Sequence, residues 1–120
     1  MTLITPLTQK KCEPCEGKTT AFAAAQALEY LQQTPGWSLS ADHKIISKEY
    51  VTKNFMTAIQ FITKVAQIAE SENHHPDIHL TGYRKLKIDL STHAIGGLSE
   101  NDFIVAAKIN ELPVELKKYV

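Results

Sequence analysis

The spacing of apolar residues along the chain predicts three helices separated by pairs of short strands. The first helix is predicted from about Thr20 to Gln33, because apolar residues recur every three to four positions and Pro35-Gly36 ends the pattern. The apolar residues that give this spacing are Phe22, Ala25, Leu28 and Leu31, with Ala24 and Ala27 beside them.

The stretch from Lys53 to about Ser71 carries the strongest helical pattern, with two apolar stripes side by side. The stripes comprise Phe55, Ile59, Ile62, Ala66 and Ala69, and beside them Ala58, Phe61, Val65 and Ile68. So wide a face is able to cover a sheet on one flank and a partner subunit on the other. Periodicity alone does not distinguish this from a face packed wholly within the chain.

Two pairs of strands are predicted between the helices. Residues 37–40 and 44–51 are rich in β-branched and aromatic residues, with a turn at Ala41-Asp42. In residues 78–90, apolar and polar positions alternate on both sides of a turn within Gly82–Lys85, which is typical of an antiparallel hairpin with one solvated face.

The last helix is predicted after Gly96-Gly97, with Ser99 as N-cap and Asp102 three residues later as an acidic capping box. Its predicted buried stripe is Phe103, Ala106, Ala107 and Ile109. The order α-β-β-α-β-β-α predicts a two-layer α+β domain, with three helices packed on one face of a four-stranded antiparallel sheet.

Composition adds limits on the class of protein. The 120 residues are 43% hydrophobic and carry 13 basic and 13 acidic side chains, so no bulk charge attracts nucleic acid or membrane. No apolar run approaches the roughly 20 residues that span a bilayer, and the first residues lack a secretory signal pattern. We expect a cytoplasmic protein with a flexible leader at 1–18 and a single domain at 19–120. Cys12 and Cys15 in the leader are expected to be ordinary reduced thiols, with a weak metal or redox role as the alternative.

Three of the five histidines fall within positions 73–79, in the sequence N-H-H-P-D-I-H. Pro76 denies the chain a helix there, so His74 and His75 lie at a helix-to-strand joint where neighbouring rings are able to converge. His93 follows the second hairpin strand, and depending on register it borders the same cleft. His79 lies between two inward-facing positions and should point to solvent.

Imidazole has a reference pKa of about 6.5, which suits acid–base catalysis near neutral pH. Three imidazoles also suit a catalytic zinc ion, although adjacent histidines lack the i, i+4 spacing of helical zinc motifs. The residues alone therefore leave both chemistries open.

A spaced run of residues extends across the second half of the chain: Glu70, three residues, His74-His75-Pro76, six to Tyr83, nine to His93 and eight to Asp102. This run closely resembles the signature of the pterin-4a-carbinolamine dehydratases, and the segments L-S-T-H at 90–93 and G-L-S-E at 97–100 are similar to family members. The resemblance covers about Trp37 to Ile109.

The resemblance implies a hydro-lyase that converts 4a-hydroxytetrahydrobiopterin to quinonoid dihydropterin and water, in tetrahydrobiopterin recycling. It implies general acid–base catalysis without a cofactor or metal, since the pterin is the substrate. The implied catalytic residues are His74, His75 and His93, and the implied pterin contacts are His74, His75, Pro76, Thr92, His93, Ala94 and Ile95. Glu70 and Asp102 are implied to orient the imidazoles from behind.

The resemblance also implies a homodimer or homotetramer and a functional link to an aromatic amino acid hydroxylase. Animal relatives serve as dimerisation cofactors of a homeodomain transcription factor, so a protein-binding coactivator without essential catalysis is the alternative. A metal-dependent hydrolase using the same histidines is a third possibility. Neither a nucleic acid nor a membrane is an expected partner.

Overall fold

The computed structural model describes residues 6–13 and 20–118. Within these residues, three α-helices and four strands follow one another in the predicted order α-β-β-α-β-β-α. Two short 3₁₀ helices lie at Leu7–Gln9 and His93–Ile95. The elements are α1 (Ala24–Leu31), β1 (Ser38–Leu39), β2 (Ile46–Val51), α2 (Phe55–Glu72), β3 (Asp77–Thr81), β4 (Lys85–Leu90) and α3 (Glu100–Asn110).

The four strands form one antiparallel sheet in the order β1-β2-β4-β3. Ile46 pairs with Leu90, and Ile78 pairs with Ile88, so alternate residues of neighbouring strands share a face. That face is largely buried, whereas the opposite face carries the exposed side chains of Glu49, His79 and Lys87. The predicted α+β architecture, with helices covering one face of the sheet, is confirmed.

Helix α1 is shorter than predicted, and its inward face is rotated. Leu28, one of the residues that give the predicted helical spacing, is 51% exposed, whereas Ala27 is fully buried. The rings of Phe22 and Phe103 lie 4.9 and 5.3 Å from the Tyr30 ring. Tyr30 and Ala27 thus face the core in place of Leu28.

Helix α2 begins after Asn54, whose side chain accepts a 2.8 Å hydrogen bond from the Thr57 amide. Its buried residues are Ala58, Phe61, Val65 and Ala69. Phe55 and Ile59, two members of the first predicted stripe, remain exposed beside Met56. The chain itself therefore covers only part of the wide apolar face.

The predicted capping box of α3 is present, since the Ser99 amide donates to Asp102 Oδ2 at 3.0 Å. Nearly every residue from Asn101 to Ile109 is buried, not just one stripe. The helix lies at the centre of the domain, packed against the other elements, so its first turn is a well-fixed support for nearby side chains.

Residues 6–13, which lie within the predicted leader, pack against α3. Leu7 is only 4% exposed, and Lys10 Nζ lies 2.9 Å from Glu100 Oε2. The Cys12 amide donates to Glu72 Oε1 at 2.8 Å. Apolar burial and fixed hydrogen-bond acceptors on two helices offset the entropy lost on ordering this segment. Residues 1–5 and 14–19, and with them Cys15, lie outside the described residues.

Candidate active site

A pocket of about 520 Å³ opens where α2, β4 and α3 meet. Of the residues expected there from the sequence, His74, His75, Thr92, His93 and Ala94 line it. The turn after α2 brings the first two histidines to the pocket, and the 3₁₀ helix after β4 brings the third. Three imidazoles from two separate segments thus share one opening.

His74 is held by a buried carboxylate. Its Nε2 atom lies 2.6 Å from Oδ1 of Asp102, a residue with no solvent exposure. The other carboxylate oxygen accepts hydrogen bonds from the Thr92 hydroxyl at 2.8 Å and from the Ser99 amide. In the tautomer in which Nε2 donates to Oδ1, the second ring nitrogen, Nδ1, is left to accept a proton.

His75 is paired with a carboxylate that is exposed to solvent. Its Nε2 atom lies 2.6 Å from Glu70 Oε2, and both side chains are more than half exposed. Asn73, at the end of α2, adopts a left-handed conformation with φ of 51°, which turns the chain out of the helix just before the two histidines. The same turn lets the His74 amide donate to the Ala69 carbonyl.

His93 lies on a tight loop between β4 and α3. The Thr92 amide donates to the Gly97 carbonyl at 2.7 Å, and Gly96 takes a positive φ of 65° that closes the loop. The side chain of His93 is exposed and has no hydrogen-bond partner among the residues that the structure describes. Its ring is therefore available to a ligand.

A neutral thiol and a buried ion pair lie beside the histidines. Burial, with the nearby Glu72 carboxylate, raises the pKa of the Cys12 thiol to about 12. Burial alone would raise the pKa of Glu72, but the Lys108 ammonium at 2.8 Å and the Cys12 amide more than offset it and lower that pKa. Cys12 is thus a poor nucleophile at neutral pH.

Two expected pterin contacts lie outside this pocket, since neither Pro76 nor Ile95 lines it. Their expected contact with the pterin stays a prediction: Pro76 shapes the backbone at His75, and Ile95 lies further along the 3₁₀ turn. His79 is exposed on the outer face of the sheet, 3.1 Å from Asp89, as predicted.

Sequence reasoning missed six lining residues: Cys12, Glu13, Glu72, Asn73, Ser91 and Asn101. The sequence offered a signal for two of them: Glu72 and Asn101 are polar at positions where helices α2 and α3 would otherwise be apolar. Within 6–13 and 20–118, no group of three or more His, Cys, Asp or Glu residues is arranged to hold a metal ion. None of the helices in these ranges is long and apolar enough to cross a membrane.

The domain has a two-layer α+β fold in which carboxylates hold two of the three histidines at one pocket. This arrangement defines a class of protein suited to proton transfer. The family model for pterin 4 alpha carbinolamine dehydratase matches residues 20–112. The chain belongs to the pterin-4-alpha-carbinolamine dehydratase family.

Curated relatives and a solved structure agree with this assignment. The chain is 49% identical over 112 residues to the mitochondrial pterin-4-alpha-carbinolamine dehydratase 2 of Arabidopsis thaliana, covering 91% of this chain and 60% of that protein. It is 44% identical to a putative pterin-4-alpha-carbinolamine dehydratase of Halorhodospira halophila, covering 88% of this chain and 96% of that one. A crystal structure of a transcriptional coactivator/pterin dehydratase from Brucella melitensis matches with a TM-score of 0.70 and 28% identity, covering 76% and 96% of the two chains.

Proposed function

We propose that the protein dehydrates 4a-hydroxytetrahydrobiopterin, a pterin 4a-carbinolamine, to quinonoid dihydropterin and water. The single observation that carries the proposal is the shared pocket of His74, His75 and His93, with His74 fixed by a buried carboxylate. The names of the curated relatives supply the substrate class.

The reaction needs two proton transfers and no external electrons. The leaving hydroxyl is on C4a, and the neighbouring N5 lone pair forms the C4a=N5 double bond as the C–O bond breaks. An acid protonates the departing oxygen to give water, and a base removes the N5 proton. Because the substrate supplies its own electron pair, the proposal includes no cofactor and no metal.

We assign the base to His74 and the acid to His75 or His93. Asp102 fixes the His74 ring through Nε2, leaves Nδ1 to accept the proton and balances the positive charge that the ring then acquires. Well-placed acids and bases each contribute on the order of 10² to 10⁴ in rate. Glu70 positions His75 in the same way, but from solvent.

Stopped-flow absorbance tests the activity directly. An aromatic amino acid hydroxylase generates the 4a-hydroxypterin, and its decay is followed with and without this protein. We expect decay to accelerate in proportion to protein concentration and to resist a metal chelator. Decay at the spontaneous rate would refute the dehydratase proposal, and loss of activity on chelation would favour a metal-dependent reaction.

The proposed assembly is a homodimer or homotetramer formed through α2. Phe55, Met56 and Ile59 are 48%, 59% and 36% exposed near one end of this helix, an apolar surface that a second copy would cover. Light scattering after size exclusion should show an oligomer, and Met56→Glu should shift it towards monomer. A monomeric wild-type protein would refute this assembly.

A protein-binding role is the second candidate, because the Brucella neighbour is described as a transcriptional coactivator. A transcription factor that binds this protein equally well after His75→Ala and His93→Ala would support that role. Absence of such binding in a protein with dehydratase turnover would favour catalysis alone.

The proposed compartment is the cytoplasm, with an aromatic amino acid hydroxylase as functional partner. The Arabidopsis relative is named mitochondrial, so imaging of the tagged full chain should test both locations. An organellar signal would overturn the cytoplasmic proposal.

A further inference from the structure

Residues 6–13, here called the N-terminal strap, form a wall of the histidine pocket. Cys12 and Glu13 line the pocket together with the catalytic candidates. The family model begins at residue 20, so the strap lies outside the part of the chain that it matches. The contribution of Cys12 and Glu13 to the pocket therefore comes from outside the segment that the family model matches.

The strap is fixed at several points that do not involve the three histidines. Glu13 exchanges two backbone hydrogen bonds with the Asn101 side chain: its amide donates to Oδ1 at 3.0 Å, and its carbonyl accepts from Nδ2 at 2.6 Å. The Cys12 thiol donates to the Asn101 carbonyl at 3.5 Å. Because the backbone makes these contacts, the exposed Glu13 side chain is left available to a ligand.

The anchors tie the strap to the same turns that carry the histidines. Glu72, which accepts from the Cys12 amide, lies two residues before His74. Asn101 directly precedes Asp102, which holds the His74 ring. A ligand that reaches His74 is thus close to the strap.

The chemistry of the pterin indicates which of its groups would contact the strap. In a pterin, C6 is bonded to N5, so a C6 substituent is attached to the carbon next to the nitrogen whose proton the base removes. The substituent must leave the pocket past its walls. A carboxylate accepts hydrogen bonds from hydroxyl groups and repels anions, whereas a neutral thiol tolerates both.

We propose that the N-terminal strap is a specificity element, at which Cys12 and Glu13 contact the C6 substituent and favour neutral, hydroxylated groups over anionic ones. This inference rests on the proposed function, because it places a pterin in the histidine pocket. It names residues that select the substrate and take no part in its proton transfers.

Fluorescence titration with 6-hydroxymethylpterin and 6-carboxypterin tests the selection without requiring turnover. Wild-type protein should bind the hydroxymethyl compound more tightly. Glu13→Gln should narrow the ratio of the two dissociation constants by about threefold, the scale of an exposed charge interaction. Glu49→Gln, on the exposed outer face of the sheet, makes the same change in net charge and should leave the ratio unchanged.

An affinity ratio that responds no more to Glu13→Gln than to Glu49→Gln would overturn the inference while leaving the proposed function intact. Failure of the wild-type protein to bind either pterin would instead refute the proposed function, and the inference with it. The two failures are therefore distinguishable.

Alkylation of Cys12 gives a second readout of the contact. In a Cys15→Ser variant of the full chain, saturating 6-hydroxymethylpterin should slow modification of Cys12 by iodoacetamide several-fold. An alkylation rate that does not change at saturation would show that the ligand makes no contact with the strap.

Discussion

His74 and Asp102 form a 2.6 Å pair in which the carboxylate is fully buried and the imidazole is 12% exposed. The next residue, His75, makes an equally short pair with Glu70, but in solvent. Two adjacent histidines are thus held in different electrostatic surroundings, and the buried pair is the stronger orienting device because water does not screen it.

Asp102→Asn should lower kcat by about 10- to 100-fold, the usual effect of losing a carboxylate behind a functional histidine. The amide keeps the shape of the side chain but no longer balances a charge on His74. Stopped-flow turnover gives kcat, and circular dichroism verifies the fold. The matched control is Glu70→Gln, which should cost less than about fivefold because its pair is exposed. Equal losses in the two variants would contradict the distinction between the pairs.

Stability at acid pH should depend on Glu72, whose pKa lies below its ordinary value of 4.5. A carboxyl with a lowered pKa in the folded state stabilises that state above its unfolded pKa, and the benefit fades as pH falls through the folded value. Glu72→Gln leaves the Lys108 charge unpaired and should cost about 3 kcal/mol at pH 7. Urea unfolding at pH 7 and pH 3 measures the difference between wild type and variant. A difference that grows towards pH 3 would contradict the assignment.

Because α1 is rotated, truncating Leu28 of this helix should destabilise the fold much less than truncating Leu86, a buried residue of β4. Leu28→Ala should cost under about 1 kcal/mol because the side chain is half exposed, whereas Leu86→Ala should cost about 2 to 5 kcal/mol. The free energy of unfolding in urea measures both. A large cost at Leu28 would indicate that the helix face first predicted from the sequence is the buried one, or that an oligomer covers it.

Strong periodicity and distinctive turn residues explain what the sequence predicted well. Helix α2, the β3–β4 hairpin and the Ser99–Asp102 cap each follow from local pattern, and the architecture follows from their order. The face of α1 did not follow, because Tyr30 competes with Leu28 and its aromatic partner Phe103 is far away in sequence.

For the site, the sequence predicted which residues take part but not how exposed each of them is. The family resemblance named Glu70 and Asp102 together, but only the fold shows that one carboxylate is buried and the other is exposed. The strap was missed because its anchors join residues 60 to 90 positions apart, a distance at which no local pattern gives a signal.

The central claim is that the imidazoles around the pocket carry the proton transfers of dehydration. The most direct measurement is the decay of 4a-hydroxytetrahydrobiopterin in the presence of His75→Ala, His93→Ala and the control His79→Ala, each verified as folded. We predict that the first two variants lose most of the wild-type activity and that the third keeps it. Full turnover by the His93 and His75 variants would contradict the claim.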